Sequence, residues 1–203
     1  MEFADVVRRR RMVRNYTDDP VDGEVIDRII ATAIKAPSAG FSQGVSFVVV
    51  TAPETRQSIA ALAGEDEYVA DGFAPWISRA PVHVVVCVRK ASYLERYREP
   101  DKGGPEGLLA AEEGWPVPYW WVDAGASMML LLLAAVDEGL AAGFLGAHAM
   151  DGLRTLLGIP DDVSPIGVVT VGHAAPDRRS GSLARGHRAD AVHHGRWGAA
   201  SAG

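Results

Sequence analysis

Two stretches of the chain hold more chemistry than their local structure needs. The first is Ala36 to Val50, APSAGFSQGVSFVVV. A helix-to-strand loop is served by one glycine and a polar residue or two, yet this one sets Ser38, Gly40, Ser42 and Gln43 between Pro37 and an apolar strand. Small residues let a backbone approach a flat ligand closely, and a glutamine amide can both donate to and accept from a polar edge. The second is the run Arg8-Arg9-Arg10-Arg11 followed by Arg14. Its guanidinium forks suit a phosphate, but a nucleic-acid patch or a solvated cationic helix end would look the same locally.

Bulk properties narrow the choice. The 203 residues make one domain the default, and 48% hydrophobic with 23% charged residues is the profile of a soluble globular protein. A net charge of -6 gives no reason to expect nucleic acid or an anionic membrane as partner. The single cysteine, Cys87, lies inside the apolar run Val82 to Val88, so no internal disulfide forms and a reducing compartment is the simpler reading. In MEFADVVRRRRMVRNY the charges follow the apolar residues and no long apolar stretch appears, so no secretory signal is read and a cytosolic protein is expected. Ala124 to Val136 is apolar but falls short of the about 20 residues a membrane span needs, which points to the buried central helix of a domain or a dimer. His148, His173, His193 and His194 lack the convergent spacing of a metal site, and no nucleophile elbow is present.

The elements that must position these residues follow from periodicity. Phe3, Val6 and Val7 open a short helix that runs into the arginines, and Asp22 is placed to cap a second helix whose stripe includes Val25, Ile26, Ile29, Ile30 and Ala33. Pro37 stops that helix. A strand at Val45–Thr51 and a helix at Pro53–Leu62 come next, and then Val82–Val88, a strand apolar enough to be buried on both faces. Residues 89 to 120 mix charge, glycine, proline and aromatics and read as an excursion over the surface. A central helix from about Trp121 to Glu138 closes at Gly139, followed by a short strand near Gly143 to Leu145, a helix capped by Asp151 and closed by Gly158, and a last strand Ile166–Val171. Two leading helices and uneven connections favour an α+β sandwich with a mixed, mostly antiparallel sheet over a doubly wound fold. No G-x-G-x-x-G follows the first strand. Residues 1–197 are read as one domain, with 198–203 as a disordered tail.

The segment RRRMVRNYTDDPVDGEVIDRIIATAIKAPSAGFSQGVSFVVV, with GLAAGFLG, LGIPDDVSPIGVVTVGH and the basic tail ending HHGRW, resembles the FMN-dependent nitroreductase superfamily over nearly the whole chain. The shared order is a basic pair, a small residue, a basic residue, an aromatic, P-V, a helix, then A-P-S with Q shortly after. The resemblance implies an α+β homodimer with two FMN sites at the subunit interface, NAD(P)H as reductant and a small aromatic or conjugated acceptor. It places the FMN phosphate on Arg10 and Arg14, joined by Arg185 or Arg188. Pro37, Ser38, Ala39, Phe41 and Gln43 become ring and ribityl neighbours, with the Ser38 backbone near the flavin N5. Gly143, Phe144, Leu145 and Gly146 approach the flavin's other side. Met12 stands where the family often has serine, so Arg11 or a backbone N–H is expected to replace that contact.

Within the same resemblance, residues 89–120 become an active-site cover, and Phe41, Trp115, Tyr119 and Trp120 become candidates to stack on substrate, or to pack the dimer interface. Phe41 replaces a common asparagine, and the G-F-S-Q loop is similar to that of the dimethylbenzimidazole synthase branch. Flavin fragmentation, reductive dehalogenation, or flavin or deazaflavin binding without turnover therefore stand as alternatives to NAD(P)H oxidation.

Overall fold

The computed structural model describes residues 1–178, 180–188 and 190–197; Arg179, Ala189 and 198–203, the tail expected to be disordered, lie outside the described residues. In chain order the elements are α1 (Phe3–Arg9), α2 (Gly23–Ala33), β1 (Val45–Val50), α3 (Pro53–Leu62), α4 (Glu65–Ala70), α5 (Trp76–Arg79), β2 (Val82–Val88), α6 (Lys90–Tyr97), α7 (Tyr119–Asp137), β3 (Ala141–Gly146), α8 (Leu153–Leu157) and β4 (Ser164–Gly172), with short 3-10 turns between some of them. The strands form one antiparallel sheet in the order β1-β2-β4-β3. A parallel bridge from Met12 to Ala142 lays the segment after α1 along the free edge of β3, and the expected mixed character of the sheet rests on that bridge.

The layers follow from the patterning. Every residue of β2 is buried, as a strand covered on both faces must be. Val82, Val84 and Val86 pack on Ile26, Ile29 and Ala33 of α2 and on Leu131 and Leu132 of α7. Val85 and Cys87 face Tyr16, Ile59, Trp76, Ile77 and Leu153 on the other side. Each large apolar side chain so buried contributes about 1.5 to 3 kcal/mol, so these two layers hold the sheet.

Helix ends obey the sequence in two cases and depart from it in one. The Asp22 carboxylate accepts the Glu24 N–H at 2.8 Å and starts α2. Gly139, at φ 80°, ends α7: its N–H donates to the Val136 carbonyl and that of Leu140 to Ala135, which is the Schellman pattern. Asp151 does not cap α8. The cap is Gly152 at φ 92°, a left-handed turn that glycine takes without strain, and it leaves Asp151 one residue too early. By length and composition α7 could cross a membrane, but half of its most apolar window is buried against the rest of the chain; it is the central core helix.

One buried residue of β2 titrates on the acid side of neutrality. His83 of β2 is fully buried, its Nε2 donates to the Ile77 carbonyl at 2.7 Å, and its Nδ1 has no partner. Burial lowers its pKa to about 4, because a second ring proton would lie in the core without an acceptor. The folded state therefore binds fewer protons than the unfolded chain between about pH 4 and 6.5. Stability is complete above that window and is expected to fall by up to about 3 kcal/mol as pH drops through it. Melting curves of His83→Gln, which keeps a donor for Ile77, should show an acid limb shallower by that amount; an unchanged limb would mean that His83 does not govern it.

Candidate functional site

The loop between α2 and β1 is bent into a conformation few sequences adopt. Gly40, Phe41 and Gln43 have φ of 62°, 60° and 50°, and a bulky residue such as phenylalanine in the left-handed region is a strained outlier. The surroundings hold it there. Within the loop, Ser38 Oγ accepts the Gln43 N–H at 3.0 Å and Ser42 Oγ donates to the Ala39 carbonyl at 2.6 Å. From outside, Asp123 of α7 accepts the Ala39 N–H at 2.8 Å and Arg96 of α6 donates to the Gly40 carbonyl at 2.9 Å. Gly40 and Gly44 seat directly on tyrosine rings: a Cβ would come within 2.7 Å of Tyr97 and 2.5 Å of Tyr93.

What the loop presents is a cleft of about 410 Å³ lined by Pro37, Ser38, Phe41 and Gln43, with Ile34 and Phe47 among its apolar walls. The Phe41 side chain is 74% exposed. Among the described residues the Ser38 N–H and the Gln43 side-chain amide have no hydrogen-bond partner. The Ala39 N–H, by contrast, is turned inward to Asp123, so of the expected loop contacts this one faces away from the cleft.

The basic segment forms a second cluster at the other edge of the sheet. The Val13 N–H donates to the Ala142 carbonyl at 3.0 Å, and this segment can lie flush on β3 because residue 143 is glycine: a Cβ there would stand 2.6 Å from the Val13 oxygen. Arg14, with Phe144, Gly146 and His148, lines a cleft of about 170 Å³, its guanidinium 6.0 Å from the Trp76 ring centre. Arg10 and Arg14 have no acidic partner among the described residues. Arg11 does: Asp177 binds its Nη1 at 2.5 Å and also accepts the Arg14 N–H at 3.0 Å. Burial pushes the Asp177 pKa up, but the Arg14 N–H and Arg11 outweigh it and hold the carboxyl below its ordinary range.

The other expected contact residues differ in how far they are already engaged within the chain. Arg11 already pairs with Asp177 through Nη1, so it is less free than Arg10 or Arg14 to meet a phosphate. Met12 is half-buried, its side chain against the α2 and α7 layer. Gly143 is covered by Val13, Thr170 and Trp76, and the Leu145 side chain is 8% exposed in the core; Phe144, Leu145 and Gly146 line the Arg14 cleft, and Gly143 does not. Trp115 and Trp120 are buried in this chain, edge-on to each other and to Tyr93, where they buttress the loop from behind. Tyr119 is 44% exposed. Residues 89–120, expected as a cover, pack in this chain under the loop through Tyr93, Arg96 and Tyr97. Of the late arginines, Arg188 forms a two-bond pair with Asp190, while Arg185 makes no ion pair among the described residues. The residue that sequence reasoning missed is Asp123. Its signal was an acid inside an otherwise apolar helix.

The comparisons with known proteins identify the scaffold. Residues 7–173 match the model of the nitroreductase family. The chain belongs to the nitroreductase family. FMN reductase [NAD(P)H] of Bacillus subtilis is 32% identical over 170 residues, covering 81% of this chain and 63% of that protein. A Methanothermobacter thermautotrophicus protein with the provisional name NADH dehydrogenase/NAD(P)H nitroreductase is 28% identical over 202 residues, covering 97% and 88%. The solved structure of the hypothetical oxidoreductase YcnD from Bacillus subtilis superposes with a TM-score of 0.74 at 27% identity, covering 97% of this chain and 75% of that one. This nitroreductase-family chain is thus an oxidoreductase with the α+β fold of its relatives. The likeness of its loop to the dimethylbenzimidazole synthase branch stays a reading of the loop alone.

Proposed function

We propose that the protein is an FMN-dependent oxidoreductase that takes hydride from NAD(P)H and passes it to a nitroaromatic, a quinone or a related conjugated acceptor. The observation that carries this reading is the pair of half-sites. Among the described residues Arg10 and Arg14, in the segment that leads onto β3, make no ion pair, and Pro37–Gln43, which leads into β1, is a strained loop whose Ser38 N–H and Gln43 side-chain amide have no hydrogen-bond partner. The residues fit the cofactor. Two guanidinium groups suit a phosphate dianion, the Ser38 N–H and the Gln43 amide can meet a flavin's polar edge, and the apolar walls of the 410 Å³ cleft suit a flat ring. FMN, when bound, supplies hydride acceptance from a nicotinamide and hydride delivery to an acceptor.

The chain's own residues bind, orient and screen. Phe41 forms an exposed wall beside which a planar acceptor can lie. No side chain of the loop is an obligatory acid or base, so the acceptor takes its proton from water. Nicotinamide and acceptor use the same place in turn, which gives ping-pong kinetics. Because β1 and β3 are the two outer strands, the half-sites lie three strand spacings apart, roughly 14 Å. Two chains related by a twofold would bring a loop from one to the arginines of the other. The outward face of α7, with Trp121, Val122 and Met129 all more than 40% exposed, supports such a homodimer. A cytosolic location agrees with the single buried cysteine.

The test is the visible spectrum of the purified protein, followed anaerobically by NADPH and then NADH. Flavin bands that bleach and return on adding a nitroarene or quinone are expected. A yellow protein that does not bleach would shift the reading to flavin fragmentation or storage, and a colourless one that takes up no FMN would end it.

A further inference from the structure

The strained loop is held by a group that no flavin contact requires. Asp123 lies in α7, whose other residues before Asp137 carry no charge, and it is 7% exposed. It has no cationic partner among the described residues. A buried carboxylate without a counter-charge is costly, and an apolar residue there would suit the aromatic cluster of Tyr93, Trp115 and Trp120 around it. Its one hydrogen bond goes to the Ala39 N–H at 2.8 Å, at the joint between extended Ser38 and the left-handed Gly40 and Phe41. The buried Tyr93 hydroxyl lies near the same carboxylate yet outside hydrogen-bonding geometry; burial first, and then Asp123, raise that phenol's pKa.

Resting on the flavin-binding reading above, we propose that Asp123 is a positioning residue: by accepting the Ala39 N–H from inside the fold, it fixes the Pro37–Gln43 backbone in the conformation that meets the flavin. Three positive-φ residues in four positions make an arrangement that relaxes unless it is over-determined. Turning the Ala39 N–H inward also sets which amides point outward, and it leaves the Ser38 N–H for the ligand. Asp123 thus acts on the flavin through the loop, without touching it.

FMN titrations of the flavin-free protein by fluorescence quenching test this, with melting temperatures measured alongside. Asp123→Ala is expected to weaken FMN binding by about tenfold or more while the flavin-free melting temperature stays within about 3 °C, since the lost bond is offset by removal of a buried charge. Asp123→Asn keeps an oxygen for Ala39 and should stay within about threefold of the wild type. Ala39→Pro removes the donor from the other side and should weaken binding like Asp123→Ala; Ser38 is extended at φ -135° and ψ 143°, which tolerates a following proline. Wild-type affinity in Asp123→Ala or Ala39→Pro would overturn the proposal, as would Asp123→Asn losing affinity together with melting temperature, the mark of a purely structural role. If the wild type itself takes up no FMN, the flavin reading falls first.

Discussion

Replacing Arg14 by alanine is expected to raise the FMN dissociation constant by about 10- to 100-fold and to leave the fold intact. A charge-assisted hydrogen bond to phosphate is worth about 1.5 to 3 kcal/mol, and each 1.4 kcal/mol is a factor of ten. The fold survives because the structural bond of this residue is made by its backbone: the N–H reaches Asp177 at 3.0 Å, and alanine keeps it. Among the described residues the guanidinium makes no hydrogen bond or ion pair, and the Trp76 face lies 6.0 Å away. Fluorescence titration at two salt concentrations checks this, because the lost contact is ionic and should also flatten the salt dependence. Ser38→Ala serves as the comparison. It removes a neutral acceptor of the Gln43 N–H and should cost less than Arg14→Ala; the reverse order, or an Arg14→Ala constant within twofold of the wild type, would remove Arg14 from the phosphate site.

Gly143→Ala is expected to damage stability and cofactor binding together. The added methyl would stand 2.6 Å from the Val13 oxygen, 2.9 Å from Thr170 Oγ1 and 3.2 Å from the Trp76 ring. Two of these are backbone of the segment laid along β3 and a buried hydroxyl bonded to Tyr16 at 2.8 Å, and neither can swing aside as a flexible side chain would. The segment from Met12 to Arg14 must therefore lift off β3, at a cost of about 1 to 3 kcal/mol. For a chain of this length that lowers the melting temperature by roughly 3 to 10 °C, and the displaced Arg14 weakens flavin binding as well. Gly23→Ala, where nothing lies within 4 Å, is the control and should change neither property. If Gly143→Ala melts like the control, the close seating of the basic segment on β3 is not what holds it.

The parts of the molecule legible in the sequence are those where one local signal decides. Val82–Val88 is apolar at all positions but one and is the buried second strand; Asp22 before an apolar stripe is a cap; Gly139 after the last apolar turn closes α7. Less legible were α4, α5 and α6, short helices whose periodic signal spans a turn or two. In KASYLERY the pair Tyr93 and Tyr97 had helical spacing, but the surrounding charge and glycine read as surface. Trp115 and Trp120 were ambiguous for a different reason: an aromatic suits a core and a ligand face equally well, and their burial against Tyr93 is a tertiary fact that no local pattern holds. Arg11 illustrates a long-range limit. Its partner Asp177 is 166 residues away, and no local pattern links them. In the same way, the arginine run and the serine-rich loop each stood out in the sequence, while their placement at opposite sheet edges came from strand order alone.

That placement has a thermodynamic consequence. If each flavin lies between the arginine edge of one chain and the loop edge of another, cofactor and partner are ligands of each other's site, and their affinities must rise and fall together by the same factor. Flavin occupancy then depends on protein concentration as well as flavin concentration. On dilution the protein would shed its colour along a curve steeper than simple dissociation, and free FMN would pull separated chains back together.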